Sequence, residues 1–435
     1  MKKVTVVLIL LVFTLQGQTS KKVVGYFPAW GKWMTPSYTW RQVDFSQINH
    51  IAWAFMYPDA AGKLVGLSSD NSIPMDSLIS KAHAHGAKVL LSLGGAGNCD
   101  GFAPMATNDA TRATFCHNVK AFITERGIDG IDIDWEYTSI PSSQDTAGYR
   151  KLVHELRDTL GSSALITMAL PCSPYWGKWF SVEGFLDDVD WIGIMTYDIT
   201  GSWASTSGYN SPLYPRNGIT DWSWEQSMTY WTGRGVPKSK LLPGIPTYGY
   251  AFAQSTGPGA SFTGDVEYTS YTNIMSHNDW VFHWDDIAMV PYAITPSGGY
   301  VTFENARSVA CKSRWLSDNE YAGVIIWELS QDYHSNGETP LMGSIAAILM
   351  NSSVSVSLHK NISTVKKQVS ISKSWISVQD YSEKIPIRVL DLRGKLVADN
   401  GGKSGRVFIG HLTAGFYIVE AGEYREKSRW GVTVY

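Results

Sequence analysis

The run Asp129-Gly130-Ile131-Asp132-Ile133-Asp134-Trp135-Glu136-Tyr137 holds four acids. Side chains alternate faces along an extended strand, so Asp132, Asp134 and Glu136 share one face, with about 6–7 Å between successive positions. Ile131, Ile133 and Trp135 take the other face. Asp129 has the opposite parity and reads as a support for the strand. Three acids crowded on one face of a partly dry site cannot all ionise cheaply, so they titrate as a coupled group. A carboxyl held protonated near neutral pH is what a general acid needs. A metal site and a purely structural acid cluster are the other readings. No His lies nearby on the same strand, which argues against a metal.

The elements that must position these acids form a repeating alternation. Short apolar runs rich in Ile, Val and Leu cover residues 23–27, 48–55, 88–93, 128–134, 165–170, 191–197, 241–247 and 323–329. Strands buried on both faces have this composition. Helical patterns lie between them at 76–85, 109–125, 144–160, 224–234 and 304–316, with Gly127 and Gly161 just past two of their ends. Eight strands alternating with helices imply an α/β fold, a closed (β/α)₈ TIM barrel. Acids at the C-terminal end of a barrel strand belong to the active-site face, which counts against the structural cluster. One connection is too long: residues 250–302, rich in Gly, Ser, Thr and Tyr, imply a small α+β insertion subdomain between strands 7 and 8 that walls a cleft.

Composition bounds the rest. The 435 residues are 44% hydrophobic and 17% charged, which excludes a mostly disordered chain. Lys and Arg number 36 against 39 Asp and Glu, with no basic stripe, so no nucleic-acid partner is expected. Eighteen Trp and 22 Tyr supply flat surfaces that pack in cores or stack on sugars. Lys2 and Lys3, the apolar run 4–15 and the small polar stretch after it read as a signal peptide over 1–20. That run falls short of the roughly 17–25 residues of a membrane span. The expected product is secreted, to the extracellular space or cell surface, with no membrane span, and monomeric. Cys99 and Cys116 are close enough in sequence to clasp a loop onto a helix, or to remain free buried thiols; Cys172 and Cys311 read as free. The barrel is expected over 21–350, a linker over 351–370, and a β-sandwich over 371–435, where short strands alternate with Gly-centred turns.

The acid run resembles the signature of the family 18 glycoside hydrolases, the chitinase family. Ser92-Leu93-Gly94-Gly95 on the third strand matches the family's Ser-x-Gly-Gly, and Met195-Thr196-Tyr197-Asp198 on the sixth its Met-x-Tyr-Asp. The last strand ends on Trp327, which in the family floors the sugar pocket. Trp284-Asp285 and Val290-Pro291-Tyr292 resemble the insertion domain of the deeper-clefted members. The resemblance covers about residues 22–350 and implies hydrolysis of chitin or N-acetylglucosamine oligosaccharides with retention, through an oxazolinium formed by the substrate's own acetamido group. It implies Glu136 as acid and base, Asp134 orienting the acetamido group, Asp132 sharing its proton, and Tyr197 donating to the acetamido oxygen. Tyr26, Phe55, Gly94, Gly95, Met195, Asp198, Trp203 and Trp327 are implied substrate contacts, with Trp30 a weaker one; ordinary barrel packing is the alternative for each aromatic. No metal or organic cofactor is implied. Non-proline cis peptides are expected at Ala54–Phe55, Glu136–Tyr137 and Trp327–Glu328.

Two positions depart from the family pattern. Ala96 stands where many relatives carry Trp, and Tyr248-Gly249-Tyr250 replaces a common Tyr-Gly-Arg, removing a cation. An endo-β-N-acetylglucosaminidase acting on N-glycans shares the acids, but the insertion and the aromatic content favour chitin. A silent chitin lectin loses the acid that Glu136 supplies. In the tail, residues 386–397 and 410–419 resemble the C-terminal sorting domain of type IX secretion, which implies the outer-membrane secretion machinery as a partner. An accessory β-sandwich is the alternative, because the basic tail common to such domains is missing.

Overall fold

The computed structural model describes residues 21–350 and, beyond them, 369–372, 375–378, 386–390, 396–400, 406–409, 415–421 and 428–434. The signal expected over 1–20 and nearly all of the linker expected over 351–370 lie outside the described residues. Eight parallel strands make the barrel: β1 Lys22–Pro28, β2 His50–Pro58, β3 Lys88–Gly94, β4 Gly130–Asp134, β5 Leu165–Pro171, β6 Trp191–Met195, β7 Leu241–Pro246 and β8 Gly323–Trp327. Each pairs with its sequence neighbour, and β1 pairs with both β2 and β8, so the sheet closes and leaves no edge.

Parity divides each strand. Val24, Ala52, Leu90, Trp191, Leu242 and Ile325 fill the lower barrel interior. The alternate residues, among them Val23, Ile51, Leu91, Ile131, Ile133, Ile192 and Val324, pack outward in the layer shared with the helices. Asp132 and Asp134 therefore sit on the inward face, above an apolar floor.

Several helices begin where a side chain satisfies their free N–H groups. Asn108 caps Asp109–Arg126 (α2) through Ala110 and Thr111, and Gly127 ends it at φ 68°. Capping boxes open Ser143–Leu160 (α3) with Ser142 and Asp145, and Ala306–Asp318 (α5) with Asn305 and Ser308. The helix expected over 76–85 is longer, Ser69–Ala84 (α1), and runs through Pro74. Proline signals a break because it removes one helical hydrogen bond, but burial of Met75, Leu78, Ile79 and Ala82 along one face outweighs that loss here. Trp224–Gly233 (α4) agrees with the sequence pattern, and Pro340–Leu349 (α6) adds a helix the pattern missed.

Between β7 and β8 the chain builds a five-stranded antiparallel sheet from Tyr248–Phe252, Val266–Ser270, Val281–Asp285, Val290–Ile294 and Tyr300–Thr302, with the helix Tyr271–Ser276. Its first strand starts two residues after β7 ends, so it is anchored to the barrel mouth. Past Val369, two further antiparallel sheets share a small core of Ile376, Ile387, Val389, Val407, Ile409, Tyr417 and Val419. That is the sandwich the turn spacing implied. Its first strand, Val369–Ser372, begins two residues inside the expected linker, and its last is Ser428–Val434.

One buried ion pair holds the start of α5 against the loop after β6. Lys312, fully buried on α5, donates to Glu304 and to the carbonyl and hydroxyl of Ser211. Removing one partner of a buried pair strands the other charge, at a cost of about 3–5 kcal/mol. Lys312→Met should therefore lower the urea midpoint by a corresponding amount, and adding Glu304→Leu should recover much of the loss. A single-variant loss near zero would contradict this account of the pair.

Candidate active site

β4 delivers the acids in order of depth. Asp132 is 4% exposed and accepts three hydroxyl hydrogen bonds: from Tyr26 at 2.8 Å and Ser92 at 2.9 Å on Oδ2, and from Thr167 at 2.6 Å on Oδ1. Ser92 and Thr167 stand directly beside it in register on β3 and β5. Burial pushes the Asp132 carboxyl up, and the three donors pull it part of the way back.

Asp134 is as deeply buried, and its Oδ1 has no hydrogen-bond partner in the protein. Desolvation raises its proton affinity well above the usual carboxylate range, and the charges of Glu136 and Asp132 raise it further. Glu136, half-buried just past the strand, is pushed up to about 7 by burial first and the charge of Asp198 second. The three hydroxyl donors favour the charged form of Asp132, so Asp134 and Glu136 hold a proton more readily than it does. The outermost acid is then a proton donor near neutral pH.

The backbone under these acids is tightly fixed. Gly94 (φ 114°) and Gly95 (φ 79°) turn the chain beneath them, and the Gly95 N–H donates to the Asp134 carbonyl at 2.9 Å. A Cβ at Gly94 would lie 2.2 Å from that carbonyl oxygen, and one at Gly95 would lie 2.3 Å from the Phe55 ring. Both glycines are buried and serve close backbone approach. Cys99 contributes as well: its Sγ accepts from the Glu136 N–H at 3.2 Å and lies 3.5 Å from the Asp134 carbonyl. All four cysteines are free, so the Cys99–Cys116 clasp is not formed. Cys116 sits on the buried face of α2, while Cys99 is turned toward the end of β4.

One wall of the mouth is aromatic. Phe55 and Trp327 stack at 5.5 Å and 20°, Tyr26 meets Trp327 edge-on at 5.4 Å, and Trp30 touches both Phe55 and Trp327 at 6.2 Å. The peptides Ala54–Phe55 and Trp327–Glu328 are cis, whereas Glu136–Tyr137 is not, which corrects that expectation. The run past β4 is held in the ordinary trans form, with Tyr137 packed against Trp135 and Phe180.

On the other side, Tyr197 is 7% exposed and packs edge-on against Tyr248. Its hydroxyl is pushed far up by burial, then by the charges of Asp134 and Asp198. Asp198 adopts φ 56°, a conformation that Asp tolerates better than most residues. Its N–H is pinned to Asn210 Oδ1 at 2.9 Å, and its Oδ1 accepts from Tyr248 at 2.5 Å and Tyr250 at 2.9 Å. Met195 ends β6, half-buried. Trp203, 63% exposed, stands edge-on to Tyr250 at 6.2 Å. Ala96 is exposed on the loop after β3.

Thus the expected residues fall into two linked groups, the acids with Tyr26 and the Tyr197–Asp198 pair, with the stacked rings beside them. Sequence reading missed Thr167, Cys99 and the hydroxyl roles of Tyr248 and Tyr250. Thr167 had a signal, a hydroxyl at inward parity in an otherwise apolar strand. Cys99 had none, because only the loop fold brings it to β4. Among the described residues no group of three or more His, Cys, Asp or Glu is arranged to hold a metal ion.

Residues 22–332 match the family described as glycosyl hydrolases family 18. A probable endochitinase of Caenorhabditis elegans is 31% identical over 295 residues, 60% of this chain and 47% of that protein, so the chain spans about half of that relative's length. Chitotriosidase-1 of Mus musculus is 27% identical over 373 residues, 78% of this chain and 80% of its own. Among solved structures, an Ostrinia furnacalis Group IV chitinase in complex with allosamidin superimposes with a TM-score of 0.71 at 25% identity, covering 76% of this chain and 99% of that one.

The acid gradient is directly measurable. Difference infrared spectra of the protein against Glu136→Gln should show a carboxyl band that titrates at about 7. A Glu136 band titrating near the ordinary glutamate value, about 4.3, would remove the basis for a neutral-pH proton donor.

Proposed function

The chain belongs to the glycosyl hydrolases of family 18, and from that premise we propose that it hydrolyses β-1,4-linked N-acetylglucosamine polymers, chitin above all, with the substrate's acetamido group as nucleophile. The observation that carries this reading is the orphaned acceptor Asp134 Oδ1, buried between Asp132 and Glu136. Buried polar atoms are nearly always paired, so this oxygen calls for a donor from outside the protein. An acetamido N–H is such a donor. It would hold the amide with its oxygen toward the anomeric carbon, and Tyr197 is on hand to donate to that oxygen.

Glu136 then gives its proton to the glycosidic oxygen as the bond to the anomeric carbon breaks. The acetamido oxygen forms the new bond from the opposite face and closes an oxazolinium ring. Asp134 carries the compensating negative charge, and Asp132, steadied by three hydroxyls, takes a share of the proton. Water attacks next, its proton passes to Glu136, and the acetamide is restored with configuration retained. The stacked rings of Phe55 and Trp327, with Tyr26, make a flat apolar floor suited to the face of the reacting sugar.

The proposal extends to where the enzyme works. Lys2, Lys3 and the apolar run 4–15 support export, and among the described residues no helix is long and apolar enough to cross a membrane. The tail's likeness to a type IX sorting domain supports a role in delivery, not in catalysis. Removing the chain after Met350 should leave hydrolysis of short chitin oligomers intact and change where the protein ends up. A folded but inactive truncation would instead join the tail to the catalytic unit.

Substitutions test the chemistry. Glu136→Gln should nearly abolish turnover while leaving oligosaccharide binding, because shape is kept and the proton is lost. Tyr197→Phe should cost about 10²–10³-fold in kcat, the effect of losing one transition-state hydrogen bond. A thiazoline analogue of the oxazolinium should bind far more tightly than substrate. Cleavage of a substrate whose reacting sugar lacks the N-acetyl group would sink the proposal.

A further inference from the structure

A cavity of about 450 Å³ opens between the loops that follow β5 and β6, and no residue of the acids or of the stacked rings lines it. Its size falls within the roughly 300–1,000 Å³ of small-molecule sites. Ser173 and Tyr175 stand on one side, and Thr200, Thr206, Asp221 and Trp222 on the other. β5 and β6 lie across the closed barrel from β1 and β2, which carry Tyr26 and Phe55 of the ring wall. A sugar chain resting on those rings therefore sends one end across the mouth toward the cavity. The walls are fixed by hydrogen bonds. Trp222 Nε1–H donates to the Cys172 carbonyl at 3.1 Å and to Ser227 Oγ at 2.9 Å, which ties the loop after β5 to the start of α4. Thr220 Oγ1 accepts from the Tyr209 N–H at 2.7 Å, and Thr206 pairs with Ser261 in an isolated bridge. Two groups are left open to a ligand. Tyr175 is 66% exposed. Asp221 is exposed, is the one charged residue of the lining, and its carboxylate has no ion-pair or hydrogen-bond partner among the described residues.

We propose that this cavity receives the leaving end of the sugar chain and that Asp221 selects there a glucosamine unit, the free-amine sugar of partially deacetylated chitin. The inference rests on the hydrolase reading above and narrows its substrate class. An acetamido group is required of the reacting sugar alone, where its oxygen is the nucleophile. That chemistry places no demand on the nitrogens of the sugars that leave. A free amine at such a position is an ammonium, with positive charge and three N–H donors, and Asp221 offers it an unengaged carboxylate. An acetylated nitrogen is a neutral amide and gives that carboxylate no counter-charge. The hydroxyls of Ser173, Thr200 and Thr206 suit the hydroxyls of a sugar, and the rings of Tyr175 and Trp222 suit its apolar face. The cation nearest Tyr175, Lys178, is outside the lining: its Nζ stands over Trp179 at 5.2 Å and Tyr175 at 5.8 Å, and it makes no ion pair with Asp221. Because Asp221 is exposed, its preference for an ammonium is modest.

The test uses the full chain and two hexasaccharides, one fully acetylated and one with glucosamine in its two reducing-end units and acetylated elsewhere. Release of the reducing-end disaccharide, followed by mass spectrometry, breaks the same bond in both and differs only in what leaves. At about pH 6, below the roughly 7.7–8.0 of an α-amino group, the free amines are charged. The wild-type protein should release the glucosamine disaccharide with a kcat/KM about three- to fivefold higher, the size of one exposed ion pair. Asp221→Asn should bring that ratio to about one, and Asp221→Lys should take it below one by repelling the ammonium. Circular dichroism confirms that both variants fold. A wild-type ratio of one or less, or a ratio unchanged in both folded variants, would overturn the inference and leave the hydrolase reading standing. Hydrolysis of neither hexasaccharide by the wild-type protein would overturn the hydrolase reading itself, and the inference with it.

Discussion

Three carboxyls on one inward strand face cannot all be charged, and much of this structure is arranged around that constraint. Asp132, Asp134 and Glu136 sit above an apolar barrel floor where each added negative charge raises the proton affinity of the others. The protein resolves the conflict by depth. The deepest acid receives three hydroxyl donors. The middle one keeps an unpartnered oxygen. The outermost holds its proton to about neutral pH. A proton donor and an unpartnered acceptor thus arise from three chemically similar side chains, separated only by their surroundings.

Much of this was legible in the sequence. Period-two parity assigns the acids to one face without any knowledge of the fold, and the eight apolar runs give the barrel and therefore the face on which a site must lie. The residues the sequence could not supply are those brought in by register or by loops. Thr167 shows inward parity in the sequence, but its pairing with Asp132 is legible only once β5 is aligned with β4. Cys99 reaches the Glu136 backbone because the loop after β3 folds back on β4. Helix ends were harder to read than helices: Pro74 hid the first two turns of α1, since a local signal for a break was overruled by burial of one helix face. The peptide Glu136–Tyr137 was misread for a related reason, because a motif fixes side-chain order and leaves the local backbone to its packing.

The insertion sheet does more than wall a cleft. Its first strand brings Tyr248 and Tyr250 onto Asp198, and its last strand brings Thr302 onto Asn210. The loss of a cation read from Tyr248-Gly249-Tyr250 is, in three dimensions, the gain of a second phenolic donor. An element remote in sequence from the acids therefore fixes the Asp198 carboxyl of the sixth-strand motif. The buried Lys312–Glu304 pair holds the carbonyl of Ser211, the residue that follows Asn210.

The central claim is that the nucleophile belongs to the substrate and that no protein carboxylate bonds to sugar. Proton NMR of the first product released from a chitin oligomer, paired with intact-protein mass spectrometry during turnover, tests it most directly. The account predicts the β-anomer as first product, with the protein mass unchanged throughout. An α-anomer, or a sugar adduct on Asp134 or Glu136, would contradict it.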